Sequence, residues 1–180
     1  MRTDFTEGKL RDYEKITLNV DGGCEPKNPG GTATGGWVLQ DDKTGDTLAE
    51  QGEVVRQAGP LSTNNVGEYG SLCLALKFLD EQGWRGELTV KADSKLLVEQ
   101  VNGRWKVKAP HLATMRNEVF FKLARLDLSI VNEDSPLPLD GKKPCRILWV
   151  PREKNARAND LCRAAYREYM EVLSDDPHSE

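Results

Sequence analysis

The hydrophobic pattern of this chain passes from strands alone to an alternation of helix and strand, and that passage restricts the fold more than any other feature. Three runs, about residues 15–21, 34–40 and 46–56, read as strands. Gly/Pro/Asn-rich or Asp/Gly-containing turns separate them, which predicts an antiparallel meander. Beyond residue 60 the pattern alternates between helix and strand. Residues 64–82 place Val66, Tyr69, Cys73, Leu76 and Leu79 on one helical face. A strand at 88–93, a short helix at 94–102 and a helix at 110–126 opened by Pro110 follow. A loop with Pro136, Pro138 and Gly141 leads to an apolar strand at 145–150 and a last helix at 156–173. That helix is expected to turn Leu161, Ala164, Ala165, Tyr169 and Val172 inward. Three antiparallel strands and two parallel ones make a five-stranded mixed sheet with helices on both faces, an α/β fold.

Four acids stand out against this pattern. Asp21 ends the run Ile16-Thr17-Leu18-Asn19-Val20-Asp21, and Asp93 ends Leu88-Thr89-Val90-Lys91-Ala92-Asp93. Glu68 opens the first long helix after Thr63-Asn64-Asn65, and Asp160 lies early in the last helix. Ligands of such sheets bind beyond the carboxyl ends of the parallel strands. If the two Asp-ended strands are neighbours, their carboxylates converge there. Carboxylates are hard oxygen ligands suited to Mg²⁺ or Mn²⁺, and a cluster of them can hold a metal pair for phosphoryl transfer. Each acid also has an ordinary role open to it. Asp21-Gly22 fits a hairpin turn, Asn65 and Glu68 have capping-box spacing, Asp93 or Ser94 fits an N-cap, and Asp160 suits a helix's first turn.

A length of 180 residues suits one domain, expected at 15–173 between a loose polar extension, 1–14, and an acidic frayed tail, 174–180. No apolar stretch approaches a membrane span, and Met1-Arg2-Thr3-Asp4-Phe5 lacks a signal-peptide core, so an intracellular, cytoplasmic protein is expected. Cys24, Cys73, Cys145 and Cys162 fit neither a zinc site nor a disulfide framework; Cys73 and Cys162 read as buried thiols.

The net charge of −4 argues at first against a polyanionic partner, but its distribution is uneven. From Lys142 to Arg157 there are six basic residues against one acid, Glu153, and Arg104-Trp105-Lys106-Val107-Lys108 sets an aromatic among three cations. A base or sugar can pack on Trp105 while the cations meet phosphates.

The motifs Val20-Asp21-Gly22-Gly23 with Asn28-Pro29-Gly30, Thr63-Asn64-Asn65-x-x-Glu68-Tyr69, Ala92-Asp93-Ser94, and Val150-Pro151-Arg152-Glu153-x-Asn155 leading to Asn159-Asp160-Leu161 resemble type 1 ribonuclease H over about residues 15–170. The stretches Gly103–Lys108 and Val150–Glu153 are most similar to the compact archaeal and actinobacterial branch, which lacks the basic protrusion. The resemblance implies a ribonuclease H-like fold and cleavage of the RNA strand of RNA–DNA hybrids with two Mg²⁺ ions, Mn²⁺ being a substitute. It implies that Asp21 bridges the metals, Asp160 completes the water-activating site, and Glu68 and Asp93 hold the second ion. Asn28, Asn64 and Asn65 would then read the minor groove, where the 2′-hydroxyl marks RNA. Thr63, Trp105, Lys106, Arg152 and Lys154 complete the expected substrate contacts. Many family members carry a histidine in the loop before the last Asp; here Arg152–Asn159 has none, leaving Glu153, Lys154 or Arg157 to substitute.

A monomer with no membrane partner is expected. Double-stranded RNA remains open as a further substrate within the same chemistry. A non-catalytic hybrid-binding module is disfavoured, because a pure binder gains nothing from acids where phosphates dock. An interaction protein on the same scaffold is the third alternative.

Overall fold

The computed structural model describes residues 9–175, so the expected extension over 1–8 and the end of the tail lie outside the described residues. Three strands open the fold: β1 (Lys15–Glu25), β2 (Thr32–Asp41) and β3 (Thr47–Arg56). Then come α1 (Asn64–Glu81), β4 (Glu87–Ala92), α2 (Lys95–Val101), α3 (Pro110–Arg125), β5 (Leu128–Ile130), β6 (Lys143–Trp149) and α4 (Ala156–Ser174). One sheet runs β3-β2-β1-β4-β6-β5, with β1–β2 and β2–β3 antiparallel and the other pairs parallel. The sheet therefore has six strands rather than five. The sixth, β5, is three residues long and follows directly on α3, too short for a period-two signal to show.

Just before β1 the chain is anchored through Leu10 and Tyr13. Lys9–Asp12 forms a 3-10 turn, Leu10 is fully buried, and the Trp84 indole N–H donates to the Tyr13 carbonyl at 2.7 Å. One buried Leu and one buried Trp are enough to tie down a segment that reads as polar.

Adjacent glycines of β2 show how the helices are layered. A Cβ on Gly35 would meet Ser71 of α1, whereas one on Gly36 would overlap the Ala158 carbonyl and the Cys162 amide of α4. Successive strand residues point to opposite faces, so α1 and α4 cover opposite sides of the sheet. Gly52, opposite Gly36 in β3, lies against the Leu161 carbonyl in the same way. This close approach selects small residues on α4: its buried side chains are Ala158, Cys162 and Ala165. Val172, expected inside, is 70% exposed. The expected face of α1 is buried throughout, and the helix accommodates Gly67 and Gly70 because side chains there would strike Thr34 O and Val55. Each glycine costs the helix up to ~1 kcal/mol relative to Ala.

Candidate active site

β1 does not end at Asp21; it runs on to Glu25, paired with β2 as far as Glu25↔Thr32. What ends there is its pairing with β4, whose last rung is Val20↔Ala92. Asp21 and Asp93 are thus the first residues beyond one parallel ladder, at the same level on adjacent strands. Asp21 faces Gly36 across the antiparallel side, so it is in no hairpin turn. Glu68 arrives from the first turns of α1, where Gly22 permits the approach: a Cβ there would overlap Gly67 C and Glu68 N.

The ordinary roles open to two of these acids are taken by their neighbours. Thr63, not Asn65, caps α1, its hydroxyl accepting from Val66 N at 3.2 Å. Ser94 caps α2, accepting from Leu97 N at 3.2 Å. Glu68 and Asp93 are left with no capping duty. Asp21, Glu68 and Asp93 bring carboxylate oxygens within 4.8 Å of one another, the group among the described residues able to hold an ion. Asp21 is 4% and Glu68 7% exposed, and Glu68 Oε2 is buried with no hydrogen-bond partner.

Burial, then repulsion from Asp93, pushes the Asp21 pKa up to about 7, while Arg152 draws it down. Burial, then Asp21 and Asp93, drives that of Glu68 well above the usual carboxylate range. Three acids that repel one another around an unpartnered buried oxygen form a donor set that a hard divalent cation fits, because the ion offsets the repulsion.

Asp93 is fixed from outside the cluster. The Asn155 amide donates from Nδ2 to the Val20 carbonyl at 2.8 Å and to Asp93 Oδ1 at 2.9 Å, and the Trp149 indole donates to the Asp93 carbonyl at 3.1 Å. Asn155 stands at the N-cap of α4 but makes no capping bond. Its reach across to two strand ends leaves no periodic signal in the sequence, where it stands only as part of the motif before α4.

Asp160 is not brought into the carboxylate group and lies on the exposed side of α4. Asn28 is brought against the start of α1, its Oδ1 accepting from Asn64 N at 3.2 Å; Asn64 is exposed and Asn65 half-buried. Trp105 is 45% exposed on the loop between α2 and α3, beside exposed Lys106. Arg152 donates to Asn159 Oδ1 at 3.0 Å, and Lys154 lines a cleft of about 210 Å³ with Lys91, Asn19 and Gln40. All four cysteines are free and buried, and burial pushes the Cys73 and Cys162 thiols up to about 12. No helix among the described residues is long and apolar enough to cross a membrane.

A mixed sheet in this order, with helices on both faces, is the ribonuclease H-like fold. The reverse transcriptase-like family matches residues 19–131. The chain is 31% identical to ribonuclease HI of Halobacterium salinarum over 143 residues, 79% of this chain and 60% of that protein. It is 33% identical to the bifunctional protein Rv2228c of Mycobacterium tuberculosis over 151 residues, 84% of this chain; it spans only 35% of that relative's length. LC11-RNase H1, isolated from compost by a metagenomic approach, in complex with an RNA/DNA hybrid superposes with a TM-score of 0.65 at 34% identity, covering 86% of this chain and 99% of that one. The chain belongs to the type 1 ribonuclease H family.

Proposed function

We propose that this chain hydrolyses the RNA strand of RNA–DNA hybrids, leaving 5′-phosphate and 3′-hydroxyl ends, through two divalent cations held around Asp21, Glu68 and Asp93. The observation that carries the proposal is the convergence of these three acids beyond one parallel ladder, with the Glu68 Oε2 atom buried and unpartnered. Mg²⁺ is the resident ion in this reading and Mn²⁺ its substitute. A bound pair supplies stabilisation of the attacking and leaving oxygens of an in-line displacement. The similarity to an RNase H1 structure that holds an RNA/DNA hybrid supports the choice of substrate.

The chain's own residues position and select. Asn155 holds one carboxylate oxygen of Asp93 and Trp149 holds its backbone carbonyl, which fixes the residue beside the cluster. Asn28 commits its oxygen to Asn64 N and keeps its NH₂ donors for substrate, while Asn64 and Asn65 offer amides that can both donate and accept to a ribose 2′-hydroxyl. Thr63 stations them by capping α1. Trp105 offers a stacking face, and Lys106, Arg152 and Lys154 meet phosphates. Arg152 is also a cation whose charge reaches Asp21, which supports a role for it against the phosphate nearest the carboxylates. In this proposal residues 15–173 carry the activity, as a monomer inside the cell.

The test is cleavage of a labelled hybrid, beside double-stranded RNA, with Mg²⁺, Mn²⁺ or EDTA, in wild type and Asp93→Asn. Metal-dependent cutting of the RNA strand that is lost in the variant is the expected outcome, and the double-stranded arm shows how strict the enzyme is. Hybrid left intact under both metals would overturn the reading and leave a binding module.

A further inference from the structure

We infer that the oxygen α4 adds to the cation site is the side-chain carbonyl of Asn159, and not the carboxylate of Asp160. The inference rests on the metal-dependent reading above and concerns how that site is completed. Successive residues of an α-helix point about 100° apart, so Asn159 and Asp160 cannot both face the carboxylates.

The buried side of α4 is marked by Ala158 and Cys162, whose thiol lies 3.3 Å from the Thr34 hydroxyl and close enough to Asp21 and Glu68 for their charges to raise its pKa. Asn159 stands one turn before Cys162 and one turn after Asn155, whose amide reaches Asp93. It is half-buried. Asp160 is exposed, and of the residues one turn away Ala156, Arg157 and Arg163 are exposed and Ala164 is half-buried; the charge that feels it is Arg157.

A direct link separates the two residues further. The Arg152 guanidinium that donates to Asn159 Oδ1 at 3.0 Å is the same cation that draws down the pKa of Asp21. The cation that holds the Asn159 oxygen is thus also one whose charge reaches Asp21. An amide carbonyl ligates hard cations without adding charge. The site then carries three formal negative charges instead of four, which lessens its self-repulsion and weakens its hold on Mg²⁺.

Isothermal titration of Mg²⁺ and of Mn²⁺ into the full chain, without nucleic acid, tests this on wild type, Asn159→Ala, Asn159→Asp and Asp160→Asn. Asn159→Ala should weaken binding about tenfold or more, and Asn159→Asp should tighten it comparably. Asp160→Asn should stay within about twofold, since a solvent-exposed charge is screened. Weaker binding in Asp160→Asn, with Asn159→Asp unchanged, would overturn the inference; that near-isosteric pair decides even if the Ala variant fails to fold. Wild type that binds neither ion would overturn the metal reading as well. Binding that follows Asn159 in a chain that cuts no hybrid would sink only the proposed activity.

Discussion

The Asp21 carboxyl, ordinarily at 3.8, has its pKa pushed up to about 7 by burial and by Asp93. Between those two values the folded chain binds a proton that the unfolded chain has released. Stability without metal must therefore fall as pH rises from about 4 to 7, by roughly 4 kcal/mol as an upper bound. In EDTA the urea midpoint should be higher at pH 5 than at pH 8, and Mg²⁺ should restore it at pH 8. Asp21→Asn should remove the Asp21 share of this pH dependence and leave the share that buried Glu68 adds with the same sign; a wild type and variant with parallel pH profiles in EDTA would rule the account out. Asn155 argues a second point at this scale. One of its two hydrogen bonds is buried and the other part-buried, so losing both in Asn155→Ala should cost about 1–3 kcal/mol. Because Asp93 is also released, cleavage should drop at temperatures where the variant is fully folded. Unchanged kcat with lowered Tm would reduce Asn155 to a structural clamp.

Between elements, bare backbone contacts hold α4 to the sheet. Gly36→Ala or Gly52→Ala would drive a methyl into a helix carbonyl, so either should cost typically 1–3 kcal/mol in chemical denaturation. Gly59→Ala, with open space around it, should be neutral or slightly stabilising. Equal effects at all three would mean that α4 is not seated as described. These contacts also explain what the sequence could and could not disclose. The long strands and helices carry full hydrophobic periods, and Asp21 and Asp93 close two strand runs, so their elements and their convergence were legible, whereas Glu68 joined them only through the family resemblance. The run of β1 past Asp21 was not, because Gly22 and Gly23 read as a turn although β2 pairs with them. The facing of α4 was not legible either. It depends on Gly36 and Gly52, more than a hundred residues away, and a one-residue rotation decides between Asn159 and Asp160.

At the scale of the whole molecule, the basic segment offers less free charge than its composition suggests. Arg157 is paired with Glu50, Lys142 with Asp127, and Arg104 with Glu99. Such exposed pairs add little to stability, on the order of 0–1 kcal/mol each, but they hold cations that would otherwise meet phosphates. Of the residues proposed to contact substrate, Lys106, Arg152 and Lys154 carry no ion pair among the described residues. Each neutralised phosphate contributes about −0.9 to the slope of log K against log salt on duplex DNA, and about −0.7 on single strands. Three contacts then predict a slope near −2.5, whereas engagement of all six basic residues from Lys142 to Arg157 would bring it near −5. Anisotropy of a labelled hybrid bound to Asp93→Asn, read from roughly 50 to 200 mM KCl, measures that slope without cleavage. Adding Lys106→Ala and Lys154→Ala should flatten it by about 1.5. A slope near −5 that these two substitutions flatten by only about 0.8, the share of Lys154, would mean that the ion pairs open on binding and that the hybrid lies across the Lys142–Arg157 face.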